Sequence, residues 1–312
     1  CLQCFSLHRK SRYFDINIIS FSVIYKLMNQ STKKLEIFKL FKKSKKFSIK
    51  WSSYFQVYEK IFSKYKNKKI KFVEIGVANG GSLFMWQKFF GKRAKIIGID
   101  LNPNAKKLEK YGFKIYVGSQ SDKNFWENFY KKEGKIDIVL DDGGHKNLQQ
   151  ISTVHYSLPH IKDGGKIVVE DTSVSYVKKE FYNPSKYSFI NYAKNIIDII
   201  HRRSPLLNKN LNFYAKKIFF VEFFESIVVF SIDAKKCFTN KQVKNDAKNE
   251  WAIDYRHNEY FRGLKSKLDR KYGLLNKRNF FRKVTRKLFY RNFLFNLLDN
   301  FKIKKIFKEI QK

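Results

Sequence analysis

Two adjacent carboxylates, two glycines and a histidine follow an apolar run in "VLDDGGH", residues 139–145. A second acidic pair, Glu170 and Asp171, closes the run "GGKIVVED" at 164–171. Both runs read as buried strands, and neighbouring strands lie about 4.8 Å apart. If these two are neighbours, four carboxylates meet on one rim. Unpaired, they would repel one another, and some would be driven to protonate. A hard divalent cation removes that conflict, and an all-oxygen donor set suits Mg2+ better than zinc. Neutralisation by lysines, or helix capping, is the structural alternative in a chain with 65 Lys+Arg against 27 Asp+Glu. Gly143 and Gly144 allow a sharp turn that brings His145 over the same rim, where an imidazole can act as a general base. On its own His145 would read as a capping or core histidine, and its place directly behind two acids favours the catalytic role. His155, His160 and His201 lack such a context.

The elements that must carry these residues alternate along the chain. "KIKFVEIG" (69–76), "AKIIGID" (94–100), "FKIYVG" (113–118), "KIDIVLD" (135–141) and "GGKIVVED" read as strands. "GSLFMWQKFF" (81–90) reads as a helix, as does "NLQQISTVHYSLPHI" (147–161), with Leu148, Ile151, Val154 and Leu158 on one stripe. Short apolar strands alternating with helices predict a parallel sheet covered on both faces. "IFFVEFFESIVVFSI" (218–232) predicts two more strands joined at Glu225–Ser226, an antiparallel edge hairpin. Open sheets of this kind bind ligands beyond the carboxyl ends of their strands. The first strand delivers "EIGVANGGS" there, with Gly76 for a tight turn and Gly80 and Gly81 for close approach of a ligand. The dinucleotide fingerprint is met at Gly76 and Gly81 but has Ala78 in its middle position, which weighs against NAD. Asp100, at the end of the second strand, can accept hydrogen bonds from ribose hydroxyls of either cofactor class. Glu74 reads as a cofactor contact or as a satisfied strand-end acid.

The ordered set "VEIGVANGGSLFMW", "GIDLNP", "GSQSD", "IDIVLDDGGH" and "DGGKIVVEDTSVSY" resembles the class I S-adenosylmethionine-dependent methyltransferases. Within them it resembles the metal-dependent macrolide (mycinamicin-type) sugar O-methyltransferases, over roughly residues 50–232. The resemblance implies an α/β, Rossmann-like, mostly parallel seven-stranded sheet with an antiparallel edge hairpin, plus basic helical N- and C-terminal extensions. It implies cofactor contacts at Glu74, Gly76, Asn79, Gly81 and Ser82, the ribose on Asp100, and the adenine beside Ser119, Gln120 and Asp122. Many relatives carry an acid where Ser119 stands. It assigns the metal to Asp142, Glu170 and Asp171 and leaves Asp141 facing the cofactor. The implied reaction is methyl transfer from S-adenosylmethionine to a hydroxyl, with Mg2+ and His145 handling the proton, on a sugar of a surface glycan or secondary metabolite. A catechol-type acceptor is an open alternative.

The chain has 312 residues and a formal net charge of +38, with 17% aromatic residues. Such a surface favours anionic partners. Lys, Asn, Ile, Phe and Tyr also share A/T-rich codons, so a biased genome gives the same composition. Residues 1–27 precede Met28 and read as upstream sequence or a poorly ordered extension, and residues 28–68 as a basic helical segment. The catalytic domain is expected over 69–233. The segment 234–312 is expected to be a basic amphipathic tail, a candidate for peripheral docking on anionic membrane at its inner face. From Arg262 onward the tail holds 17 Lys+Arg and 3 Asp+Glu. The apolar run "INIISFSVIY" is shorter than the roughly 20 residues a membrane helix needs. Cys1 and Cys4 form a lone C-x-x-C, and with Cys237 they make no disulfide framework, which fits a reducing cytoplasm. A nucleic-acid methyltransferase is the first alternative. It is disfavoured because no Asn-Pro-Pro-aromatic or catalytic cysteine motif is present, and a non-catalytic membrane-surface protein leaves the acidic cluster unexplained. The oligomeric state is left open.

Overall fold

A computed structural model describes residues 32–177, 186–207 and 210–246, with residues 303, 304 and 306. The chain divides into two units, Cys1–Gln242 and Val243–Lys312. The expectations for residues 1–27, for the C-x-x-C pair and for the helical stripe of the tail lie outside the described residues.

The first unit holds a seven-stranded sheet in the order β3-β2-β1-β4-β5-β7-β6. Its strands are β1 (Lys71–Ile75), β2 (Lys95–Asp100), β3 (Lys114–Val117), β4 (Ile136–Asp141), β5 (Ile161–Val169), β6 (Ile218–Phe224) and β7 (Ile227–Ile232). The first five run parallel, and β7 pairs antiparallel with both β5 and β6. The mostly parallel sheet and its edge hairpin are as the sequence patterns predicted. Glu225 and Ser226 form the hairpin turn, with Ser226 at φ 58°.

Among the described residues the sheet is flanked by α1 (Glu36–Lys42), α2 (Tyr54–Phe62), α3 (Gly81–Phe90), α4 (Lys123–Glu133), α5 (Asn147–Ser157), α6 (Phe189–His201) and α7 (Phe213–Lys217). Side chains alternate across a pleated strand, so each strand feeds two cores. Phe72, Ile138, Leu140 and Val168 pack under α1, α2 and α3. Val73, Ile75, Val139, Ile167 and Val169 pack under α4, α5 and α6. The basic N-terminal segment is therefore no solvated appendage. Tyr54, Phe55, Tyr58, Ile61 and Phe62 of α2 are fully buried against the first face. Val154 in α5 and Leu158 just past its end are buried as expected, whereas Leu148 is exposed. It stands in the first turn, ahead of the part of the helix that meets the sheet.

No helix among the described residues is long and apolar enough to cross a membrane.

Candidate functional site

The pleat decides where the acidic residues go. Glu74 lies on the Phe72 face of β1, so its carboxylate is buried beneath α3 and accepts from Ser82 Oγ at 2.8 Å and Trp86 Nε1 at 3.2 Å. Asp141 lies on the Val139 face of β4. It is buried against Gln120, whose Nε2 donates to both carboxylate oxygens at 2.9 and 2.8 Å. Asp142, one residue on, returns to the Leu140 face, and Glu170 follows Val168 onto that same face. The four carboxylates expected on one rim are thus split: Asp142 and Glu170 share one side of the sheet with Glu74, Asp141 points to the other, and Asp171 turns to His145, Trp51 and Tyr54.

The cation among them comes from the N-terminal segment. Lys50 Nζ lies 2.7 Å from Asp142, 2.8 Å from Glu170 and 3.8 Å from Glu74, with its side chain 2% exposed. Burial alone would pull the Lys50 ammonium down, and the three carboxylates outweigh it and hold it well above its ordinary value. Burial pushes Glu170 up to about 8 and Glu74 up to about 7, against the lowering pull of Lys50. Tyr58 donates to Glu170, and burial together with that carboxylate raises its phenol. Tyr54 Oη donates to Asp171 at 2.7 Å, and Trp51 Nε1 donates to the same oxygen at 3.1 Å.

Asp142, His145 and Asp171 each offer a ligand atom within 4.8 Å of the others. His145 Nε2 is 3.4 Å from Asp171 Oδ2, and the buried Nδ1 has no partner. His145 at φ 59° and Asp171 at φ 53° both hold the left-handed backbone that non-glycine residues rarely adopt. Strain of this kind persists where the surroundings over-determine it, and it clusters at functional sites. Carboxylates of Asp142 and Asp171 that converge in this way fit a divalent cation, and the orphaned Nδ1 of His145 is left open to a further partner beside them. Glu170, expected among the ligands, turns instead to Lys50 and Tyr58.

The residues expected around a nucleotide cofactor divide in the same way. Asp100 accepts from Ala78 N at 3.0 Å and Asn102 N at 2.8 Å, and its carboxylate stays half-exposed at the end of β2. Ala78 sits at φ 44°, so the position where the dinucleotide fingerprint has its middle glycine is left-handed here too. Gly76 is at φ 84°, and a Cβ on it would lie 2.0 Å from the Asp142 carbonyl oxygen. The close neighbour of Gly81 is the chain itself, with the Lys46 and Phe47 carbonyls 2.5 and 2.6 Å from where a Cβ would stand. Gly80 likewise meets Leu108. Asn79 is exposed in the turn, and Ser119 accepts from Ser121 N at 3.2 Å. Asp122 caps α4 through Asn124 N, and Gln120 braces Asp141, Thr153 and Gly144.

Residues 73–172 match the family model described as a methyltransferase domain. The chain carries a methyltransferase domain. It is 30% identical over 165 residues to the 8-demethyl-8-alpha-L-rhamnosyl tetracenomycin-C 2'-O-methyltransferase of Streptomyces olivaceus, covering 49% of this chain and 43% of that protein. It is 32% identical over 126 residues to the mycinamicin VI 2''-O-methyltransferase of Micromonospora griseorubida, covering 38% of this chain and 31% of that protein. The chain thus spans less than half the length of these relatives. The fold of the methyltransferase domain is shared with the MycE methyltransferase of the mycinamycin pathway, solved with Mg and SAH. There the TM-score is 0.58 at 19% identity, over 83% of this chain and 72% of that one.

Lys50, Trp51, Tyr54 and Tyr58 had no place among the predicted site residues of the methyltransferase domain. The spacing of Tyr54 and Tyr58 was the available signal for the tyrosines, since positions four apart on a helix share one face; Lys50 and Trp51 lie ahead of the helix, and no periodicity marks them.

Proposed function

We propose that this chain is an S-adenosylmethionine-dependent, divalent-metal-assisted O-methyltransferase acting on a sugar hydroxyl of a glycan or secondary metabolite. The observation that carries the reading is the meeting of Asp142, His145 and Asp171 at the carboxyl ends of β4 and β5. It lies on the rim that also presents Asp100 and the left-handed turn after β1. The relatives that act on sugar positions of tetracenomycin and mycinamicin support the acceptor class.

When bound, S-adenosylmethionine supplies an electrophilic methyl group, and the cation supplies positive charge that lets an alcohol lose its proton near neutral pH. Asp142 and Asp171 would hold the cation. Asp100 retains lone pairs beyond its two backbone partners and would accept from the ribose hydroxyls. Asp171 Oδ2 faces His145 Nε2 and favours the tautomer with the proton there, leaving the lone pair on Nδ1. Nδ1 would take the hydroxyl proton, and Asp171 would stabilise the resulting imidazolium.

The test is transfer of label from methyl-tritiated S-adenosylmethionine to a panel of glycosides, with Mg2+ and with EDTA. Incorporation into a glycoside that EDTA abolishes is expected. Incorporation indifferent to EDTA would remove the metal, and labelling of RNA in place of every glycoside would replace the acceptor class.

A further inference from the structure

We propose that Lys50 is a tethered competitor of the divalent cation, which must displace its ammonium from Asp142 to bind. The inference rests on the metal-assisted reading and concerns how that same site is regulated.

Lys50 already occupies a cation position. Its Nζ stands between Asp142 Oδ2 at 2.7 Å and Glu170 Oε2 at 2.8 Å, with Glu74 at 3.8 Å. An ammonium and a hard divalent ion want the same thing, negatively charged oxygen. Asp142 belongs to both sets, because it is also one of the three residues whose ligand atoms converge. Asp142 is the carboxylate both cations seek, and a divalent ion brings twice the charge of an ammonium, so it has the advantage there once it gains entry. Displacement leaves no acid without support: Tyr58 still donates to Glu170, and Ser82 and Trp86 still donate to Glu74.

The element that delivers Lys50 suits an exchange. Residues 43–53 link α1 to α2 without belonging to either helix. They are pinned to the rim by side chains: Ser44 Oγ donates to the Gly81 carbonyl at 2.6 Å, and Trp51 Nε1 donates to Asp171 Oδ1 at 3.1 Å. Trp51 itself is 58% exposed. Lys50 is a flexible four-carbon stem on an irregular strap, so it can withdraw without unfolding a helix. The metal-free protein therefore keeps its acids compensated and its strap closed over Gly81, and metal entry releases the lysine.

Two measurements on the full chain test this, with Mn2+ as the probe. The first is equilibrium Mn2+ binding, by the resonance signal of the free ion, for the wild type and Lys50→Met. Removing a charge-assisted competitor should tighten Mn2+ by about ten-fold or more. Unchanged or weaker binding by a folded variant would overturn the proposal. The second needs no variant. Acylation of wild-type lysines, mapped by mass spectrometry, should show Lys50 protected without metal and labelled at saturating Mn2+, while Lys162, paired with Asp137 at 2.8 Å, stays constant. Lys50 still protected while Mn2+ is bound would sink the competition and leave the metal-assisted reading standing. Binding by Lys50→Met but not by the wild type would support the proposal. Binding by neither would overturn both readings.

Discussion

Gln120 Nε2 donates to both carboxylate oxygens of Asp141, at 2.9 and 2.8 Å, while its Oε1 accepts from Gly144 N at 3.1 Å. One buried amide thus fastens the end of β4 to the turn that presents Asp142 and His145. Burial raises the Asp141 carboxyl, and the bonds from Thr153 and Gln120 pull it back. Replacing Gln120 by Leu should leave Asp141 and the Gly144 amide short of partners and cost about 2–3 kcal/mol. Urea denaturation measures it. A variant of unchanged stability that binds S-adenosylhomocysteine poorly would instead return Gln120 to the adenine contact implied by the family resemblance.

Stability should fall as pH rises through neutrality. In the unfolded chain Glu74 and Glu170 titrate near 4.3. In the fold, burial lifts them to about 7 and about 8. Between those limits the folded state holds protons that the unfolded state has released, so each step up in pH favours unfolding. Without metal, the melting temperature should drop between about pH 5 and pH 8. Glu74→Gln, which keeps an acceptor for Ser82 and Trp86, should flatten that slope. A melting temperature that rises over the same range would contradict the assignment.

Ala78 holds a left-handed backbone at φ 44°. A residue with a Cβ loses roughly 1–2 kcal/mol there, and glycine returns part of the gain through its greater freedom when unfolded. Ala78→Gly should therefore stabilise the domain by up to about 1 kcal/mol, read as a higher denaturation midpoint. Destabilisation would show that the alanine methyl has a packing role that outweighs the strain.

His145 combines a left-handed backbone with an unpartnered Nδ1. Asn tolerates that backbone but cannot serve as a base of suitable strength. His145→Asn should fold with near-normal stability and lose about 10²–10⁴ in turnover. Denaturation and methyl transfer on the same preparation separate the two effects. Full turnover would make the histidine structural.

The sheet was legible because its strands are short apolar runs closed by Gly or Asp, and because Glu225–Ser226 interrupts a run too long for one strand. The polar tips were less legible. Period-two alternation in "VLDDGG" already places Asp141 and Asp142 on opposite faces, so the expectation of four converging carboxylates set aside information the strand carried. Alternation also sets the face of Glu170, but not its partner, because Lys50 is 120 residues away and arrives on an irregular strap. Gly80 and Gly81 were read as room for a ligand. Leu108 and the Lys46–Phe47 carbonyls take that room, which only long-range packing reveals. Leu148 fits a helical stripe by spacing yet is exposed, since periodicity identifies a face without saying how far along the helix the core extends.

The most direct test of the cofactor assignment is calorimetric titration of S-adenosylhomocysteine into the full chain, alongside the Asp100→Ala variant. One-to-one binding on the order of micromolar, about −8 kcal/mol, is expected for the wild type, with the variant weaker by about 1.5–3 kcal/mol for the lost charge-assisted bond. No heat of binding at millimolar ligand, or tight binding of NAD in its place, would contradict the account.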